Sequence, residues 1–468
     1  MAWQSGPNSH LYIFLPIDVY RSLPMRRLTF LLIPLFVFAC TKMHRPKTDS
    51  IVGRWQGYIE LNKAKQDIII DILNDAGGIR ALLSIPNAME LETPLANLQY
   101  SPPRLSLEMR KGSEKMTLKG SCKGDVMQLS PADGGPPLRF ELERTGQVPP
   151  LPYDSEEVTV RSGDGNLSGT IFTPRSSGPH PAIVLVHGSG RQTRDGLRFY
   201  ADFFARNGLI ALTYDKRQVE IINGNELVKA RDLATDVLDG VQLLKERKEV
   251  IPTKIGLWGG SQGAGVAATA ASMSKDIAFL IGVSGGGISY TELVTYQTGN
   301  RLRKRGFSER DISQAIAVIE KLHLFIHDGA NPQQMQALLN EASTNSWAGP
   351  AGIPAKLPDE HEIKSWRNAQ YLDNTKLSWS DVKIPILLIW GENDMSVPVN
   401  ASVKNISEAL TLNRNSDVTI KVFSGADHAL MLPAGARADT NGKWDFSRLA
   451  PGYLELMASW ALERTRKP

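Results

Sequence analysis

The 468-residue chain carries 53 lysines and arginines against 49 aspartates and glutamates, a formal net charge of +4. That balance excludes an electrostatic nucleic-acid footprint, and 42% hydrophobic against 22% charged residues excludes wholesale disorder. The two cysteines, Cys40 and Cys122, exclude a disulfide framework and a four-cysteine zinc site.

Residues 25–40 read MRRLTFLLIPLFVFAC. Arg26 and Arg27 form a positive region ahead of an apolar run from Leu28 to Phe38, a secretory signal pattern. The run falls short of the about 20 apolar residues that a membrane span needs. Val37-Phe38-Ala39-Cys40 resembles a bacterial lipobox. The resemblance implies a signal region over 1–39 with its true start at Met25, and lipidation of Cys40. It also implies an exported, periplasmic or cell-envelope lipoprotein; Thr41 after the cysteine points to the outer membrane. An ordinary signal peptide cut near Ala39, or an uncleaved anchor, would share the pattern.

Residues 40–50 are a polar linker. Over 51–146 short runs alternate or are apolar: Tyr58–Leu61, Asp67–Ile72, Ile79–Leu83, Leu105–Met109, Lys115–Lys119, Val126–Leu129 and Leu138–Leu142. Turn residues separate them, which predicts a small β-rich domain, a barrel or a sandwich. Gly53-Arg54-Trp55-Gln56-Gly57 resembles the opening strand of small lipocalin-like barrels. Cys122 reads as a strand residue rather than a reactive thiol, and the domain as a spacer ahead of a ligand-binding, partner-contacting or enzyme-positioning role. Residues 147–154 form a stiff proline-rich linker.

From 155 to 468 strands and helices alternate, which predicts an α/β fold with a mostly parallel sheet. Glu157–Arg161 and Leu167–Phe172 read as a hairpin. Ala182–Val186, Leu209–Tyr214, Lys254–Trp258, Ala278–Val283, Ile384–Trp390 and Val418–Phe423 read as further strands. Phe199–Arg206, Leu227–Leu244 and Tyr453–Arg464 read as helices; Leu233, Val237, Val241 and Leu244 share one face of the second. The alternation stops over 286–380. Ile312, Ile316 and Ile319 are spaced for a helix there, behind a capping box at Ser308–Asp311. An insertion at that sheet edge predicts a helical lid over the ligand site, with Trp347, Trp366 and Trp379 as candidate lining residues. Arg301, Arg303, Lys304 and Arg305 read as a solvated helix face rather than an anion or lipid site.

Gly259-Gly260-Ser261-Gln262-Gly263 fits the G-x-S-x-G nucleophile elbow, a tight strand-to-helix turn that lifts a serine above the sheet. An apolar strand precedes it and a run of small residues follows. Gly282-Val283-Ser284-Gly285-Gly286 fits too, but three successive glycines make a poor helix start, so Ser261 is preferred to Ser284. Serine needs a base within hydrogen-bond reach. Of the later histidines, His323, His327 and His361 fall in the insertion, and only His428 lies beyond the last predicted strand. The orienting acid belongs after the preceding strand, in Gly391-Glu392-Asn393-Asp394, with Glu392 and Asp427 as rivals to Asp394. Two N–H donors should face the oxyanion: that of Gln262, and one from the loop His187-Gly188-Ser189-Gly190, Ser189 ahead of Gly190. His187 reads as structural. His323 and His327 have zinc-ligand spacing, but Leu324 stands where a metalloprotease carries glutamate and no third ligand appears, so no metal is expected.

These segments, with Arg194-Asp195, Tyr214-Asp215-Lys216-Arg217 and Asp394 through Val397-Pro398, are together similar to bacterial carboxylesterases of the α/β-hydrolase superfamily, close to the prolyl-oligopeptidase-like branch. The likeness covers about 155–468. Relatives often continue the Asp-Lys-Arg segment with glycines; here Gln218-Val219-Glu220 follows. The resemblance implies a serine carboxylesterase with Ser261 as nucleophile, His428 as base and Asp394 as acid. No cofactor is implied, and the substrate is a small-molecule or peptide acyl compound. A serine peptidase of the aminopeptidase or prolyl-oligopeptidase kind would share the triad, although about 100 residues cannot build a propeller from blades of roughly 40–50. A thioesterase would use the same residues, and a non-catalytic binding lipoprotein would keep the hydrolase scaffold without turnover. Oligomeric state is not encoded in any of these features.

Overall fold

The computed structural model describes residues 51–466, apart from 62–63, 112–113, 133–136, 164, 219, 223–224, 369–378, 413, 436, 439–441 and 444–445. Cys40, the signal region and the 40–50 linker lie outside the described residues. The chain divides into two compact units. One comprises residues up to Pro150 together with Ala434–Arg448; the other comprises Leu151–Pro433 and Leu449–Pro468.

The first unit is a closed eight-stranded antiparallel barrel. Its strands are β1 (Gly53–Leu61), β2 (Ala64–Asp75), β3 (Gly78–Ile85), β4 (Glu90–Ser101), β5 (Arg104–Lys111), β6 (Glu114–Lys123), β7 (Val126–Pro131) and β8 (Leu138–Gly146). β1 pairs with both β2 and β8, which leaves no open edge. Inward side chains, among them Trp55, Ile59, Ile70, Leu107, Met127 and Phe140, fill a core that also contains Phe446 from the returning segment. Cys122 is buried on β6, and burial pushes its thiol up.

The second unit is built on an eight-stranded sheet. Its strands are β9 (Tyr153–Ser162), β10 (Gly165–Pro174), β11 (His180–Val186), β12 (Ile210–Tyr214), β15 (Val250–Gly260), β16 (Phe279–Val283), β17 (Ile386–Gly391) and β18 (Val418–Phe423). A small antiparallel pair, β13 (Glu220–Ile222) and β14 (Asn225–Leu227), follows Arg217. The sheet order is β9-β10-β12-β11-β15-β16-β17-β18. β9 and β10 are antiparallel, and every pairing from β12 through β18 is parallel. Central β11 and β12 are buried almost throughout, the pattern of strands covered on both faces.

Helices α1 (Arg198–Arg206), α2 (Ala230–Lys245) and α3 (Gln262–Met273) connect the central strands. α2 buries Leu233, Val237, Val241 and Leu244, the face its spacing predicts. Between β16 and β17 the chain forms α4 (Tyr290–Lys304), α5 (Glu309–Asp328), α6 (Pro332–Ser343), α7 (Ala348–Ala351) and α8 (Glu360–Asn368). These helices share a core of their own, including Leu302, Ile312, Leu322, Phe325, Leu339 and Trp347. α9 (Val399–Leu412) and the last helix α10 (Tyr453–Arg466) complete the unit.

Three expectations need correction. The spacing misses β4, because Pro94 and irregular pairing on both sides blur its alternation. The linker expected to run to 154 ends earlier, since β9 begins at Tyr153. The stretch 155–468 is not one unbroken domain, because Ala434–Arg448 belongs with the barrel.

Candidate active site

The parallel strands bring Ser261, Ser284, Asp394 and His428 to one edge of the sheet. Ser261 directly follows β15, Ser284 follows β16, Asp394 lies three residues past β17, and His428 lies in the loop after β18. In α/β sheets that edge is where ligands bind.

Ser261 sits between β15 and α3 with φ 55° and ψ −122°. This strained geometry is held by close backbone packing. A Cβ on Gly263 would stand 2.4 Å from the Val186 carbonyl oxygen and 2.6 Å from that of His187, and one on Gly259 would meet the Gly263 carbonyl at 2.2 Å. Ser261 N–H donates to the Val283 carbonyl at 2.7 Å.

Ser284 also has positive φ, 52°. Its hydroxyl is committed elsewhere: it donates to the His428 carbonyl at 2.7 Å, and the residue is buried. The second G-x-S-x-G sequence thus supports the histidine loop.

Asp394 is 2% exposed. Its Oδ1 accepts from the N–H groups of Ser396 (2.7 Å) and Val397 (2.8 Å), and its Oδ2 lies 2.7 Å from His428 Nδ1. A buried carboxylate with both oxygens occupied is fixed in direction, and it holds the imidazole so that Nε2 is free to exchange protons. Among the described residues no hydrogen bond joins Ser261 Oγ to His428; such bonds are often long before substrate binds.

The rivals have other work. Glu392 accepts from Ser424 Oγ (2.6 Å) and Gly425 N–H (2.9 Å), bonds that hold its carboxyl below the usual range and tie the acid turn to the histidine loop. Asp427 accepts from Ala429 and Met431 N–H, both at 2.9 Å, and shapes its own turn; burial raises its pKa.

The loop after β11 faces the serine. Were Gly188 to carry a Cβ, it would lie 3.7 Å from the Ser261 Cβ. Among the described residues nothing occupies the N–H of Ser189 or of Gln262, so both are available as donors. His187 is buried, and its Nε2 hydrogen-bonds the Tyr214 carbonyl. Burial lowers its pKa, consistent with a structural role.

Several supporting residues are given no role by the sequence, although Arg194, Asp215, Lys216 and Arg217 lie in the segments that carry the resemblance. Buried Lys216 donates to Gly188 O (2.8 Å), Gly190 O (3.3 Å) and Gln262 Oε1 (2.9 Å). One ammonium therefore grips both segments that carry the candidate oxyanion donors. Its neighbours extend the frame: Asp215 receives Arg194 Nη1 at 2.8 Å, and Arg217 makes a two-pronged contact with buried Asp236. From α4, Tyr296 Oη, Gln297 Nε2 and Asn300 Nδ2 donate to the carbonyls of Asp394 (2.7 Å), Ser396 (2.9 Å) and Met395 (3.0 Å). No short motif announces such bonds, since they join segments remote in sequence.

A cavity of about 830 Å³ lies among α4, α5, residues 349–358 and Trp366, and Ser189 and Gly190 contribute to its wall. Of the three candidate lining tryptophans, only Trp366 is in the wall. Trp347 is packed in the core of the helical insertion and Trp379 in that of the sheet. His323 is also in the wall, whereas His327 is exposed beside Asp328. Arg303 pairs with Glu309 at the surface, while Arg301 reaches the cavity. Among the described residues no group of three or more His, Cys, Asp or Glu could hold a metal ion. No helix among them is long and apolar enough to cross a membrane.

A family model described as BAAT / Acyl-CoA thioester hydrolase C terminal matches residues 238–435, a range that includes Ser261, Asp394 and His428. Esterase EstD of Thermotoga maritima is 34% identical over 145 residues, 29% of this chain and 34% of that protein. Thiohydrolase aneE of Aspergillus aculeatus is 29% identical over 130 residues, 27% of this chain and 40% of its own. The chain thus spans well under half the length of these relatives. Among solved structures, an esterase of Pyrococcus furiosus shares 20% identity with a TM-score of 0.41, covering 69% of this chain and 94% of that one. The α/β hydrolase GrgF of Penicillium shares 20% with a TM-score of 0.40, covering 67% and 98%. Over its matched region the chain is thus similar to acyl-CoA thioester hydrolases, to an esterase and to a thiohydrolase.

Proposed function

We propose that the protein is a serine hydrolase that cleaves carboxylic esters through an acyl-enzyme. The observation that carries this reading is the buried Asp394 carboxylate 2.7 Å from His428 Nδ1, at the same sheet edge as Ser261 on its strained turn. His428 Nε2 takes the proton from Ser261 Oγ as the oxygen attacks the ester carbonyl. The N–H groups of Ser189 and Gln262 stabilise the oxyanion. The protonated imidazole, held by Asp394, returns its proton to the leaving alcohol. Water then attacks the acyl-serine with His428 as base, releasing the acid and restoring the hydroxyl. The insertion α4–α8 acts as the lid of the site.

Thioesters are the second reading, favoured by the acyl-CoA thioester hydrolase match over 238–435. A thiolate leaves more readily than an alkoxide, and the same residues would serve. For localisation, lipidation at Cys40 and outer-membrane anchoring are proposed from the signal pattern; Cys40→Ala should abolish labelling by a fatty-acid precursor in cells.

The decisive test is fluorophosphonate labelling of protein starting after Cys40. Wild type and Ser284→Ala should label, and Ser261→Ala should not; Ser261→Ala should also lose about 10⁴- to 10⁶-fold in ester turnover. A folded wild type that fails to label, and that turns over neither p-nitrophenyl esters nor acyl thioesters, would favour a binding protein on a hydrolase scaffold.

A further inference from the structure

We propose that the cavity in the helical insertion binds the acyl group of the substrate and selects acyl groups that end in a hydroxyl-bearing ring, with His323 as the residue that reads the hydroxyl. This rests on the ester-hydrolase reading and deepens it.

The cavity begins at the candidate oxyanion loop, since Ser189 and Gly190 form part of its wall. In this reading the acyl side of an ester whose carbonyl oxygen is held by Ser189 N–H faces that wall. Tyr290, His323 and Trp366 form an aromatic cluster there. The Tyr290 and His323 rings stack with centroids 5.7 Å apart and planes 24° apart, and Trp366 lies 6.3 Å from His323 and 5.7 Å from Tyr290. Leu293, Val294 and Ile319 add aliphatic wall. Flat groups gain most from such surroundings, because their faces and edges pack against ring faces.

Of the polar side chains in this lining, Gln297 donates to the Ser396 carbonyl and Thr298 accepts from Arg301, while His323 keeps one ring nitrogen for a ligand. Thr291 Oγ1 holds its Nδ1 at 3.0 Å, and among the described residues its Nε2 has no partner. Burial pushes the imidazole down to about 4, so it is neutral at physiological pH. A neutral imidazole offers at Nε2 either a donor or an acceptor, depending on which nitrogen carries the proton. A hydroxyl can answer both, being donor and acceptor at once. A carboxylate can only accept and so answers one of the two. The cation in the lining, Arg301, is engaged: it donates to the carbonyls of Pro350 (2.8 Å) and Ala351 (3.0 Å) and to Thr298 Oγ1 (3.0 Å), bracing the 349–352 wall.

The test compares kcat/KM for p-nitrophenyl esters of acetate, 3-phenylpropanoate, 3-(4-hydroxyphenyl)propanoate and succinate. A second series attaches the same rings to the alcohol side of acetate. Wild type should favour the hydroxyphenyl acyl ester over its phenyl counterpart by about tenfold or more, because a site built to bond a hydroxyl discriminates against its absence. That ratio should fall to near one in His323→Phe, which keeps the ring, and survive in part in His323→Gln, which keeps a hydrogen-bonding head. Thermal melts establish that the variants are folded, and the ratio cancels general losses of activity. A wild-type ratio near one, a ratio unchanged in His323→Phe, a preference for the succinate ester, or selectivity only in the alcohol series overturns the inference while acetate is still cleaved. Failure to cleave any of the esters, acetate included, overturns the ester-hydrolase reading and the inference with it.

Discussion

In the proposed catalytic arrangement Lys216 acts through what it holds in place. Its ammonium holds two carbonyls of the 188–190 loop and the side chain of Gln262, and so fixes the two candidate donor segments against each other. Lys216→Met should lower kcat by about ten- to a hundredfold with KM nearly unchanged, because the loss falls on the oxyanion rather than on the bound ester; steady-state kinetics on a p-nitrophenyl ester checks this. The sequence pointed to Ser261, Asp394 and His428 because each follows an apolar strand and carries its own local signature. It was ambiguous where two signatures coincided, at Ser261 and Ser284. The difference between them is a hydrogen bond from Ser284 to the His428 carbonyl, across 144 positions of chain. Bonds of that span leave no trace in local spacing, and the task of Lys216 was hidden for the same reason.

At the scale of elements, α3 begins in backbone contact with the end of β11, an approach that only glycine at 263 allows. Gly263→Ala should cost about 2–3 kcal/mol or more in urea unfolding, since the obstructing atoms are backbone and cannot rotate away. In the insertion, His323 makes stability depend on pH. Its folded-state pKa is depressed from 6.5 to about 4 by burial. The folded protein therefore holds that proton less tightly than the unfolded chain does. The stability contributed by the neutral ring is present above pH 6.5 and is lost as pH falls toward 4, by about 3 kcal/mol in all. The urea stability of wild type relative to His323→Phe should decline by roughly that amount between pH 7 and pH 4. Elements with one clean period were readable from the chain: the amphipathic α2, the buried strands β11 and β12, and the capped start of α5. β4 was not, because Pro94 and two register shifts break its alternation. The capping box of α4 at Ser289–Glu292 lay just behind a run of glycines that reads as loop.

Among the described residues the barrel has a core of its own, distinct from those of the sheet and of the helical insertion. The barrel core is completed by Phe446, some 300 residues beyond β8, where it is 7% exposed among Trp55 and its neighbours. Phe446→Ala should lower barrel stability by about 3 kcal/mol, as deletion of a buried phenyl ring does. Hydrogen exchange of peptides from β1 to β8 should show the loss, with little change in peptides from β11 and β15. This dependence was invisible in the sequence, since residues 434–448 carry no strand period and only the barrel gives Phe446 its setting. Its consequence is genetic. The barrel cannot be removed or transplanted as a cassette by one cut at the proline-rich segment: a gene lacking codons 51–150 would still encode Phe446, and a gene holding only those codons would encode a barrel without that core residue. Any recombination that moves this barrel between proteins must carry two stretches of coding sequence together.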